Sequence, residues 1–136
     1  MSTETFGTAE ESKTPNPFLD ALGVRLSKLE RGFAEFELEL EPRHLNRSGS
    51  LQGGVSATLL DAACGYATLQ DESGKLGDAL TLMLSISYLA KVSKGKVRAV
   101  AEVTGAGKSI CFCSGKLVSD TGEVIATAQG TFKRIR

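Results

Sequence analysis

The chain has 136 residues, 41% hydrophobic and 24% charged, which supports one globular domain with a real core and excludes a wholly disordered chain. Lys plus Arg is 16 and Asp plus Glu is 16, so the formal net charge is zero and a broad basic face for nucleic acid is not expected. No apolar run approaches the roughly 18 residues of a membrane span, and the single histidine, His44, excludes a multi-histidine metal site.

In chain order, Met1–Thr14 is polar and acidic and reads as a disordered leader without a secretory h-region. With an odd count of three cysteines this points to a reducing cytoplasm and no disulfide framework. A single domain is expected over residues 15–136. Within it, Asn16 is placed to cap a short helix with Pro17 at its first position and Gly23 at its end. Val24–Leu29 is expected as a strand. Phe33–Leu40 alternates, with Ala34, Phe36, Leu38 and Leu40 on one face and Glu35, Glu37 and Glu39 on the other. A loop follows from Pro42 to Ser50. Gly53–Leu69 is the one long helical candidate, rich in Ala, Gly and Cys and too apolar all round for a surface helix. Strands are expected at Ala79–Leu89, Lys96–Thr104, Ile110–Ser119 and Glu123–Lys133, separated by glycine-containing turns.

This order implies an α+β fold in which a mostly antiparallel sheet curls around the long helix and covers it. Such a sheet keeps open edges, which a second copy can pair, so a dimer is expected.

Asp61 is the only charged residue from Ser48 to Gln70, in mid-helix, with no Lys or Arg within a turn to pair with it. A carboxylate buried there costs several kcal/mol unless it is hydrogen-bonded or paired. It is therefore either a catalytic base or nucleophile, or a group facing a solvent gap or capping a partner's backbone. Gly53 and Gly54 precede the helical run. They let a ligand approach free N–H groups at the positive end of the helix dipole, where an oxyanion can be held, or they form a plain loop-to-helix turn. Gly105–Ser109 ends like a phosphate loop, but the first glycine of that motif falls at Glu102, and the segment lies between strands. Cys64, Cys111 and Cys113 read as core. His44 reads as a loop residue bonded to its neighbours.

The stretch His44-Leu45-Asn46-Arg47-Ser48-Gly49-Ser50-Leu51-Gln52-Gly53-Gly54, followed by Ala57-Thr58-Leu59-Leu60-Asp61, resembles the hotdog-fold acyl-CoA thioesterases of the phenylacetic-acid-degradation type. The resemblance is carried by Asn46, Gly49, Gly53, Gly54 and Asp61 at the family's spacing, and by Thr81–Leu89 after the helix. It implies a hotdog fold and hydrolysis of an acyl-CoA. Asp61 would be the catalytic carboxylate and Gly53 N–H the donor to the thioester carbonyl. Asn46 would position water or the leaving sulfur, and Thr81 would orient water beside Asp61. Gln52 stands where the family usually has His, and it and Gly54 are expected to contact substrate. The resemblance also implies a site straddling a homodimer that pairs further into a tetramer, a dimer of dimers. No metal and no separate cofactor are expected, since coenzyme A enters as part of the substrate. The acyl pocket is expected between the helix and the Met83 side of the following strand. Lys91, Lys94, Lys96, Arg98 and Lys108 form a run whose only acid is Glu102; it is either a solvated strand edge or a contact for coenzyme A phosphates, with Lys91, Lys94, Lys108 and Ser109 as the binding residues. The rival readings are a hydroxyacyl-thioester dehydratase and a non-catalytic acyl-CoA binding module on the same fold.

Overall fold

The computed structural model describes residues 16–135; the leader expected over residues 1–14 lies outside the described residues. Helix α1 spans Pro17–Leu22. The Asn16 side chain accepts from the Leu19 N–H at 3.3 Å, and Gly23 ends the helix at φ +84°, a left-handed conformation that is cheap only without a Cβ. There follow β1 (Arg25–Glu30), β2 (Phe33–Glu39), a single 3-10 turn (Pro42–His44), α2 (Gly53–Ala67), β3 (Asp78–Tyr88), β4 (Lys96–Ala106), β5 (Ile110–Ser119) and β6 (Val124–Ile135). Every expected element is present, with bounds differing by two residues at most.

The six strands form one antiparallel sheet in the order β1-β2-β4-β5-β6-β3, curled around α2. This is the hotdog arrangement. The alternation of β2 holds: Ala34, Phe36 and Leu38 are buried, while Glu35 and Glu37 face outward and pair with Arg98 and Lys96 of β4. Those two cations are thereby occupied by cross-strand ion pairs.

Small residues set how close helix and sheet come. Ala99, Ala101, Ala126 and Ala128 are buried on the sheet side, and Ala63, Cys64 and Ala67 on the helix side. A Cβ built at Gly115 would lie 3.2 Å from Cys64 Sγ and 3.4 Å from the Val100 carbonyl oxygen, so even one added carbon would need Cys64 to give by a few tenths of an ångström. The sheet does not cover α2 all round, as the apolar sequence suggested. Val55, Ser56, Leu59, Leu60, Ala63, Cys64 and Ala67 are buried, but Ala57, Thr58, Asp61, Ala62, Gly65 and Tyr66 remain half-exposed along one open face.

Strand β3 carries a bulge between Thr81 and Met83, with Leu82 as the extra residue against Phe132 and Thr131 of β6. Strict alternation would place Thr81 with Met83, Ser85 and Ser87 on the outer face. The extra residue switches the phase, so Thr81 pairs with buried Phe132 and faces the helix.

His44 is fully buried. Its Nδ1 accepts from the Glu41 N–H at 2.9 Å, which places the ring proton on Nε2, and Nε2 donates to the Leu22 carbonyl at 2.7 Å. Arg43 donates to the Ala21 and Leu22 carbonyls. Together they satisfy orphan carbonyls at the end of α1 and clamp it to the loop that leads to α2. His44 is thus a long-range clasp and more than a residue bonded within its own loop. His44→Leu keeps the bulk but loses both bonds, and should lower unfolding stability by about 1–3 kcal/mol, measured by urea denaturation.

Candidate active site

The open face of α2 carries Asp61, and the inward turn of β3 brings Thr81 to it. Thr81 Oγ1 donates to Asp61 Oδ1 at 2.8 Å. Asp61 is half-exposed, so it is not the deeply buried carboxylate its apolar sequence neighbourhood suggested. It faces a groove of about 520 Å³ whose walls include Phe18 of α1, Leu29 of β1, Ala62, Gly65 and Leu69 on the helix side and Ala79 of β3. The strand contribution is Ala79 and Thr81; Met83, expected on the pocket side, shares the outer-face phase of Ser85 and Ser87. Asn16 Nδ2 donates to Tyr66 Oη at 3.0 Å on the groove wall, a polar pair that the sequence did not announce.

The second part of the site is the start of α2. Gln52 supplies the cap through its backbone: its carbonyl accepts from Val55 N–H at 2.9 Å and Ser56 N–H at 3.2 Å, and its side chain makes no cap bond. The Gly53 and Gly54 N–H groups have no acceptor among the described residues. Gly54 is exposed, and nothing lies within 4 Å of where its Cβ would sit. With the helix dipole behind them the two amides suit a developing negative charge.

Asn46 organises the loop before α2. Its Oδ1 accepts from Ser48 N–H at 3.0 Å, Ser48 Oγ at 2.9 Å and Ser50 N–H at 3.1 Å, an Asx turn that leaves only Nδ2 to act outward. Lys91 and Lys94 lie on the β3–β4 connection, which is tied to the start of α2 by Leu51 N–H donating to Val92 carbonyl at 2.7 Å. Lys108 and Ser109 lie in the β4–β5 turn, where Ser109 carbonyl accepts from Arg134 N–H at 2.7 Å. The two groups flank β4 and stand roughly 35 Å apart at about 3.3 Å per residue. One chain therefore does not join them into one phosphate site.

A larger depression of about 790 Å³ lies on the outer face of the sheet, between Phe33, Ser87, Glu102, Lys116 and Gln129. It holds none of these site residues, and its walls are the saddle of a twisted sheet. The cysteines are core, as expected. Burial, then the nearby Cys113 and Asp61, push the Cys64 thiol up to about 12, and burial, then Cys111, pushes Cys113 up to about 12, so both stay protonated. Among the described residues no group of three or more His, Cys, Asp or Glu could hold a metal ion, and no helix is long and apolar enough to cross a membrane. Tyr88, whose hydroxyl donates to the Gly53 carbonyl at 2.8 Å, was not legible as part of the site. The two residues are 35 positions apart, and only the return of β3 beside α2 joins them.

Against known proteins, the model of the thioesterase superfamily matches residues 48–126, more than half of the chain and the segment holding Gly53, Asp61 and Thr81. Acyl-coenzyme A thioesterase 13 of Homo sapiens is 33% identical over 97 residues, covering 70% of this chain and 68% of that protein. Among solved structures, a conserved protein of Pseudomonas aeruginosa superposes with a TM-score of 0.84 at 28% identity, covering 94% of this chain and 100% of that one. The PaaI protein of the phenylacetic acid degradation operon of E. coli has a TM-score of 0.84 at 23% identity, covering 96% of this chain and 92% of that one, a likeness of fold. The chain belongs to the thioesterase superfamily: it is a thioester hydrolase with the hotdog fold.

Thr81 gives this site a direct test. Thr81→Val removes the donor to Asp61 at nearly constant volume, and thioester hydrolysis should fall about tenfold, the scale of one hydrogen bond to a charged group. Thr81→Ser should keep most of the rate, as read by release of free thiol.

Proposed function

We propose that the protein hydrolyses acyl-CoA thioesters to a free acid and coenzyme A at a site shared between two copies of the chain. The observation that carries this reading is the separation of its two chemical parts. Gly53 and Asp61 are eight residues apart on one helix, roughly 12 Å at 1.5 Å per residue. A carbonyl whose oxygen sits on the Gly53 N–H would have its carbon more than twice too far from the Asp61 of the same chain. If a second copy lies antiparallel across the open helix face, its Asp61 reaches that carbonyl.

The unpaired edge of β3 supports such an assembly. Leu80, Leu82 and Met83 on this strand and Leu89 just after it are 47–60% exposed, an apolar edge that a monomer would leave as a template for association. The same antiparallel placement would bring Lys91 and Lys94 of one copy toward the Lys108–Ser109 turn of the other, around the phosphates of coenzyme A. A tetramer would form by pairing two such dimers.

In this mechanism the thioester carbonyl oxygen lies on the Gly53 N–H, which stabilises the charge that grows there. Asp61, oriented by Thr81, either takes a proton from the attacking water or attacks the carbonyl carbon itself, in which case water then cleaves the anhydride. Asn46 Nδ2 donates to the leaving sulfur, and the acyl group occupies the groove beside α1. Gln52, with its side chain free, and Gly54 border the substrate. The route uses no metal and no further cofactor. Three free buried thiols fit a reducing cytoplasm as the compartment.

Asp61→Asn tests the chemistry. Asn keeps an oxygen for Thr81 but is neither base nor nucleophile, so turnover should fall about 10²–10⁴-fold while KM changes little. Melting temperature should stay that of the parent. The readout is thiol release across short, medium, long and aryl acyl-CoA substrates; a folded variant within a few-fold of the parent rate would remove Asp61 from catalysis.

Assembly is tested separately. Light scattering should give at least twice the chain mass. Leu80→Lys with Leu82→Lys puts charge on the open edge and should lower mass and activity together. A fully active monomer would refute the shared site.

A further inference from the structure

Tyr88 ends β3 on the helix side of the sheet, paired with buried Ala126. Its hydroxyl donates to the Gly53 carbonyl at 2.8 Å, and its ring lies 3.6 Å from where a Cβ on Gly53 would sit. The Gly53 carbonyl and the Gly54 N–H belong to one planar trans peptide. Holding the oxygen therefore sets the direction of the N–H. A hydrogen bond on the carbonyl end also polarises the peptide and makes its N–H a stronger donor.

The need for such a hold is local. Gly-Gly is the most permissive dipeptide, and here it opens a helix with no side-chain cap. The preceding peptide, which carries the Gly53 N–H, is already held through Gln52 carbonyl by Val55 and Ser56. The next peptide is held in the same way within α2, where the Gly53 carbonyl accepts from the Ala57 N–H, and it gains a second, external anchor from Tyr88. Its N–H, that of Gly54, has no acceptor among the described residues, and Gly54 is exposed.

We propose that Tyr88 is a positioning residue for thioester hydrolysis: by fixing the Gly53–Gly54 peptide it makes Gly54 N–H a second oxyanion donor beside Gly53 N–H. This rests on the reading of the α2 N-terminus as the oxyanion site. It gives Tyr88 a role distinct from that of its neighbours on the apolar edge of β3, which serve association.

The test is Tyr88→Phe, which keeps the ring against Gly53 and removes the hydroxyl alone. With the best acyl-CoA found for the parent, kcat should fall about 3- to 10-fold, the scale of one hydrogen bond, with KM little changed. Mass by light scattering and melting temperature should match the parent. In a two-dimensional amide NMR spectrum the Gly54 resonance should move. A variant with parental kcat overturns the role of Tyr88 and leaves the thioesterase reading standing. A variant that loses mass and activity together also overturns it, because Tyr88 then acts through the subunit contact. A parent that releases no thiol from any acyl-CoA overturns the functional reading and this role with it.

Discussion

The distance between α2 and the inner face of the sheet governs the rest of the molecule. It is short because the facing residues have little or no side chain: Gly115 against Cys64, and Ala99, Ala101, Ala126 and Ala128 around it. A helix seated that closely buries one face fully and has no second layer over the other. The opposite face, with Thr58, Asp61, Ala62 and Gly65, is left looking outward over a groove. Close packing of small residues thus puts a carboxylate on an apolar helix without burying it.

Within that frame, one inserted residue decides what faces Asp61. Leu82 breaks the two-residue period of β3, and the strand shows opposite phases before and after it. After the bulge, Leu84 and Ile86 pack on the core; before it, Ala79 and Thr81 line the groove. A regular strand would turn Thr81 out and leave Asp61 without its donor. The bulge lies on the same edge strand that offers an apolar face to a second copy, so the residue that orients the carboxylate and the surface that would complete the site are parts of one element.

The loop before α2 works by the opposite means, with polar bonds in place of small apolar contacts. His44 and Arg43 clasp the end of α1, and Asn46 closes its own turn through three bonds to one oxygen. The loop's bonds run within itself, to the end of α1 and to the Val92 carbonyl, and the helix that follows has no side-chain cap, its first turn resting on the Gln52 carbonyl. The first two amides of α2 are therefore left without partners among the described residues. A side-chain cap such as Ser or Asp at position 52 would reach the amides of the first turn and compete with a ligand for them.

The sequence by itself determined the elements and their faces. Alternation in Phe33–Leu40, proline and glycine at the ends of α1, and the run of small residues in α2 all report local backbone and packing preferences, which depend on near neighbours. The spacing of Asn46, Gly53 and Asp61 is local in the same sense, being two turns of helix and a short loop, so the candidate site was legible to that extent. What lay beyond it is non-local. The half-exposure of Asp61 depends on which helix face the sheet covers. The phase of Thr81 depends on how β3 registers with β6, more than 40 residues later. The bond from Tyr88 to Gly53 depends on β3 returning beside the start of α2, and the roughly 35 Å between Lys94 and Lys108 on the full length of β4. Tertiary structure decided these because each is a distance between parts of the chain that no periodicity connects.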